Sequence, residues 1–127
     1  MSVSDDVPLG SAGRMFGLSV REPEFEEGEE VRREFRANRW QHRIRAVGGR
    51  LYLTDRRLIF VPHKFDSKLG GRRWSARLQD LEGSSPGGGP RTIRVEVHDG
   101  RDQRFVIPDR TETAAVIDEA IQDARVE

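Results

Sequence analysis

The chain has 127 residues, with 22 Lys and Arg balanced by 22 Asp and Glu, and no cysteine. That length fits one domain able to bury roughly two-thirds of its unfolded surface without a metal or disulfide staple. Lack of cysteine excludes thiol catalysis and cysteine-ligated zinc or iron–sulfur centres, and no apolar run approaches the roughly 20 residues of a membrane span.

The first residues, MSVSDDVPLG, lack the basic and apolar regions of a secretion signal, so the expected location is the cytoplasm. Residues 1–22 are polar and aperiodic, which predicts a flexible tail before one domain over residues 23–127. Met15-Phe16-Gly17-Leu18 is the stretch of that tail able to dock on the domain or on a partner. An acidic run from Glu22 to Glu30 leads into the first strand.

From Val31 the pattern alternates, with Val31, Phe35 and Ala37 on one face of a half-buried strand. A weaker strand is expected from Trp40 to Val47, ending at a Gly48-Gly49 turn. Arg50–Thr54 and Leu58–Val61 then form an antiparallel hairpin around Asp55-Arg56, and Pro62 ends its second strand. A polar loop from His63 to Arg73 precedes a strand at Trp74–Leu78, and another short strand is expected from Asp80. The glycine-rich run Gly83–Pro90 reads as a flexible loop. Thr92–His98 alternates with Ile93, Val95 and Val97 inward, Asp99-Gly100 turns, and Phe105-Val106-Ile107 is the last strand. Asp109 and Glu112 fit a capping pair for a helix over Glu112–Arg125, whose apolar stripe is Ala114, Ile117, Ala120, Ile121 and Ala124. About seven short antiparallel strands and one terminal helix predict a mainly β fold, a partly open barrel capped by that helix.

Two stretches carry a resemblance. Gly28-Glu29-Glu30-Val31…Phe35-Arg36-Ala37 is followed by Gly49-Arg50-Leu51-Tyr52-Leu53-Thr54-Asp55-Arg56-Arg57-Leu58-Ile59-Phe60-Val61-Pro62. Leu78-Gln79-Asp80-Leu81 and Phe105-Val106-Ile107-Pro108 ahead of the helix agree with it. Over about residues 24–125 the chain resembles a GRAM domain of the bacterial, single-domain type, within the PH-like superfold. The resemblance implies two nearly orthogonal sheets capped by a helix, no catalytic residues, and binding of anionic lipids or protein segments.

The residues themselves point the same way. His42, His63 and His98 lie in different elements without paired ligand spacing, and no nucleophile elbow or phosphate-binding loop occurs. No catalytic residue, metal or cofactor is expected. Net neutrality hides a segregation: Arg36–Arg77 holds 12 cations and two acids, and both flanks are acidic. Arg36, Arg39, Arg43 and Arg45 surround the first two strands, while Lys64, Lys68, Arg72 and Arg73 fall in the loop after the hairpin. If these loops share a rim, they form one cationic patch suited to phosphate.

Half of those cations at about 1 kcal/mol each would give weak, salt-sensitive attachment to anionic lipid at the inner membrane face. Trp40 and Trp74, which bracket the block, are either interfacial anchors or core residues of the rim. Three alternatives stay open. The arginines could be a solvated face, with Glu26, Glu27, Glu29 and Glu30 folding back onto Arg56 or Arg72. The barrel groove could hold a protein partner, and an open edge strand could add a peptide or a second copy. Nucleic acid is disfavoured by the near-neutral balance and the few aromatics.

Overall fold

The computed structural model describes residues 23–42, 45–63 and 70–126. The expected tail over residues 1–22 lies outside them, as do Arg43, Lys64 and Lys68. Seven strands follow in order: β1 (Val31–His42), β2 (Arg45–Thr54), β3 (Arg57–Pro62), β4 (Trp74–Arg77), β5 (Leu81–Pro86), β6 (Thr92–Val97) and β7 (Gln103–Val106). A 3-10 turn (Leu78–Asp80) separates β4 from β5, and one α-helix, α1 (Arg110–Val126), follows β7.

The strands form one antiparallel sheet in the order β4-β3-β2-β1-β7-β6-β5, with β4 and β5 as its unpaired edges. β1 joins the two halves. It pairs with β2 almost throughout and with β7 at Asn38 and Arg39. Because side chains alternate along each strand, the inner face gathers Leu51, Leu53, Leu58, Phe60, Ile93, Val95 and Phe105, all fully buried or nearly so. Each such side chain contributes roughly 1.5–3 kcal/mol when removed from water. The open side of this core is plugged by Ile117 and Ile121 of α1, which pack with Leu78 and Leu81.

The helix begins as its capping residues predict, with the Glu112 amide donating to Asp109 Oδ1 at 3.1 Å. It also covers one sheet edge. The Ser84 amide of β5 donates to Asp118 Oδ1 at 2.9 Å, and Arg125 Nη2 donates to the Leu81 carbonyl at 3.0 Å. Backbone groups that would otherwise recruit another strand are thereby occupied, and β4 is left as the uncovered edge among the described residues.

Two expectations are corrected. Gly48-Gly49 is not a turn, since β1 runs on through Trp40 to His42 and the two glycines sit inside β2. A Cβ on Gly49 would lie 2.2 Å from the Val61 carbonyl oxygen and 2.9 Å from the Phe60 ring, so glycine here permits close approach of β3. Gly83–Pro86 is strand rather than loop. Ser84 and Ser85 pair with Val95 and Arg94, and Asp118 holds the Ser84 hydroxyl as well as its amide.

Candidate functional site

The rim of the sheet at the end of β1 brings several candidate cations together. Arg39 shares its face with its cross-strand partners Val47 and Phe105, so it points inward at the mouth of the core. Its Nε donates to Oε1 of buried Gln103 at 2.9 Å, and its Nη1 donates to the Arg72 carbonyl at 3.3 Å. Burial pulls the Arg39 guanidinium below its ordinary value. Two residues on, the Gln41 side chain donates to the Gly70 carbonyl at 3.0 Å and accepts from the Arg72 amide at 2.8 Å.

Three of these contacts tie residues 70–72 to the end of β1, and the fourth joins β1 to β7. Arg45 reaches the same place, its Nη1 lying 3.9 Å from where a Cβ on Gly70 would stand. Arg72 and Arg73 stand exposed on the clamped segment, and among the described residues neither they nor Arg39 forms an ion pair. The rim therefore gathers Arg39, Arg45, Arg72 and Arg73.

Arg36 is not with them. It lies on the opposite face of β1, opposite Arg50, at a shallow cleft shared with Asn38 and Arg91. The tryptophans also part. Trp74 packs inward, its ring 5.8 Å from that of Phe105, and belongs to the rim of the core. Trp40 faces outward, with the Arg104 guanidinium 5.6 Å from its ring centre. Gln41 and Gln103 hold the site yet carried no sequence signal, because an uncharged amide in a strand reads as ordinary polar surface.

The acidic approach folds back on the opposite end of the hairpin. Glu26 pairs with Arg56 at 3.2 Å and with Arg77, while Glu29 pairs with Arg57 at 2.6 Å. Glu29 sits inside this cluster of pairs. Its carboxylate has no exposed surface, and it accepts from the Thr54 hydroxyl at 2.6 Å and the Glu26 amide at 2.8 Å. Burial pushes this carboxyl up, but the Arg57 guanidinium, the Thr54 hydroxyl and the Glu26 amide outweigh that and hold it at about 2. Arg56, Arg57 and Arg77 are thus neutralised locally and do not extend the cationic rim. The Arg56 hydrogen bond outweighs desolvation and, with Arg77 and the nearby Arg57 charge, likewise draws Glu26 below the usual carboxylate range.

A larger groove of about 620 Å³ runs between α1 and the β1–β2 end of the barrel. Arg32 and Arg33 line one side, Glu119 and Asp123 of the helix line the other, and Leu53 and Val116 lie between. Among the described residues no helix is long and apolar enough to cross a membrane.

No protein-family model matches the chain, and no curated protein matches it in sequence. Solved structures do match. The Vps36 N-terminal PH domain superposes with a TM-score of 0.65 at 17% identity, over 84% of this chain and 89% of that one. The linker-DH/PH domains of p115-RhoGEF match at 0.62 and 14% identity, and the human RhoA complex with a DH/PH fragment of PDZRHOGEF at 0.62 and 9%. The chain spans only 30% and 29% of those two RhoGEF chains. At these identities the likeness shows the fold alone: a PH-like sheet with a C-terminal helix.

Proposed function

We propose that this chain is a non-catalytic PH-like binding module of the GRAM type that attaches to an anionic phospholipid surface through its rim. The observation that carries this reading is the clamping of residues 70–72 by Arg39 and Gln41, beside which Arg72 and Arg73 stand exposed with no acidic partner among the described residues. Guanidinium groups held on a fixed segment meet phosphate without first losing chain entropy, and their planar forks donate to phosphate oxygens in pairs. Lys64, Lys68 and Arg43 belong to the same connections in sequence and lie outside the described residues. At about 1 kcal/mol per cation the attachment is weak, reversible and screened by salt, which suits a peripheral protein at the cytoplasmic face.

Co-sedimentation with phosphatidylcholine vesicles of rising phosphatidylserine content tests this. Binding should grow with anionic lipid and fade as salt is raised. No binding at low salt rejects the reading.

A second reading has its own support. The groove beside α1 has walls of opposite charge and an apolar floor, the form that suits a short protein segment. Similar folds also occur in complexes with RhoA. A stoichiometric protein partner whose binding depends on Val116 and Glu119 would favour it.

A further inference from the structure

The outer face of β1, β7 and β6 carries a second cationic arrangement, separate from the rim. Cross-strand pairing sets out three rows on that face. In the middle row Gly48, Asn38, Val106 and Thr92 lie side by side, none with a long side chain. The row on one side holds Trp40, Arg104 and Arg94. On the other side stand Arg50, Arg36 and Pro108, with Arg91 beside them. The result is a trough between two arginine-bearing ridges. At the Arg36 end it deepens to a cleft of about 150 Å³ lined by Arg36, Ala37, Asn38, Arg91, Val106 and Pro108.

Among the described residues, most of the positive charge on this face has no counter-ion. Arg36 lies directly opposite Arg50, and Arg94 directly opposite Arg104, an arrangement that destabilises a sheet. Glu34 neutralises Arg50 at 3.3 Å, but among the described residues Arg36, Arg91, Arg94 and Arg104 have no carboxylate within ion-pair distance. Glu96 shares the face and turns to the Ser85 hydroxyl at 3.3 Å.

Arg91 adds an independent sign. Its backbone is in the left-handed region at φ 59°, which glycine occupies at no cost and arginine does not. The fold holds it there. Its carbonyl accepts from the Ile107 amide at 2.7 Å, and Arg110 reaches across to the Gly89 carbonyl at 3.2 Å. Three glycines precede it in the loop, yet the strained position itself carries a long cation. Strain of this kind is found where a side chain must be aimed.

We infer that Arg36 and Arg91 clamp a phosphate group in this cleft, with Asn38 as an uncharged donor between them and Arg94 and Arg104 extending the field along the trough. The phosphate could be that of a soluble phosphomonoester or of a phospholipid headgroup. The chemistry at the cleft is the same.

Titration of the isotopically labelled full chain with inorganic phosphate, followed by amide NMR, tests the site. Shifts should centre on Asn38, Arg91 and Val106 rather than on Gln41 and Arg72. Arg36→Gln and Arg91→Gly should each weaken phosphate binding about tenfold, whereas an Arg72→Glu/Arg73→Glu double variant should leave it unchanged. Arg91→Gly should keep or raise the thermal midpoint, since glycine relieves the strained backbone, so its loss of binding cannot reflect loss of fold. Vesicles of phosphatidylcholine with phosphatidic acid separate the sources. Binding weakened by the same two variants assigns a lipid headgroup, and response to free phosphate alone assigns a soluble ligand. Shifts confined to the rim, no shifts, or unchanged binding in both variants would overturn the inference; shifts at the rim would at the same time support the rim reading, which the phosphatidylserine vesicles test separately.

Discussion

Glu29 shows how one side chain decides a local structure. Its carboxylate is withdrawn from water, yet three donors hold it ionised at about 2, against an ordinary 4.5. A carboxyl with a folded value below its unfolded value stabilises the fold above the unfolded value and loses that contribution as pH falls. The window here is therefore pH 4.5 down to about 2. The linkage amounts to about 2–3 kcal/mol once partial exposure of Arg57 is allowed for. Glu29→Gln should lower stability by about that amount at neutral pH, because Arg57 is left without its counter-charge. It should also flatten the acid side of the stability curve, as read by urea unfolding at several pH values. Equal stability of the two proteins at pH 7 would show that the Glu29–Arg57 pair contributes nothing. This contact was half legible in the sequence. An acidic run ahead of a basic hairpin suggests pairing, with Arg56 or Arg72 as the expected partners; Glu26 does take Arg56, but the pairing of Glu29 with Arg57 depends on the turn at Glu26–Glu29, where Gly28 takes φ 79°.

At the scale of elements, periodicity located the β2–β3 hairpin, β6 and α1 because each alternates or repeats over several residues. It failed where glycine took on a packing role. Gly48-Gly49 has the composition of a turn, but β1 runs on to His42, β2 already begins at Arg45, and Gly49 lies beneath Phe60 and Val61. Gly83-Ser84-Ser85-Pro86 has the composition of a loop and is recruited into β5 by Asp118, 34 residues away from Ser84. No local pattern can report such a contact. Gly49→Ala should accordingly destabilise the domain by about 3 kcal/mol or more, since the methyl group meets backbone that cannot move without breaking the β2–β3 ladder. Thermal unfolding checks this; a midpoint within a degree or two of the parent would mean that β3 can shift away.

At the scale of the whole molecule, a contiguous basic block in the sequence is divided by the fold among three places. Arg56, Arg57 and Arg77 are paired by the acidic approach, Arg36 lies on the outer face, and Arg39, Arg45, Arg72 and Arg73 meet at the rim. Charge counting along a chain sees a segment, whereas alternation in a strand sends neighbouring charges to opposite faces and bends of the sheet bring distant ones together. The rim was legible only as a condition, that the loops should meet, and its amide supports were not legible at all.

Attachment through the rim would depend on Arg72 and Arg73, whose side chains hold no described element in place. The decisive measurement is binding of an Arg72→Glu/Arg73→Glu variant to phosphatidylserine-containing vesicles at low salt, beside the unaltered chain. Reversing two charges should reduce binding by about tenfold or more while the thermal midpoint stays within a few degrees. Vesicle binding equal to that of the unaltered chain would contradict a rim-bound anionic surface.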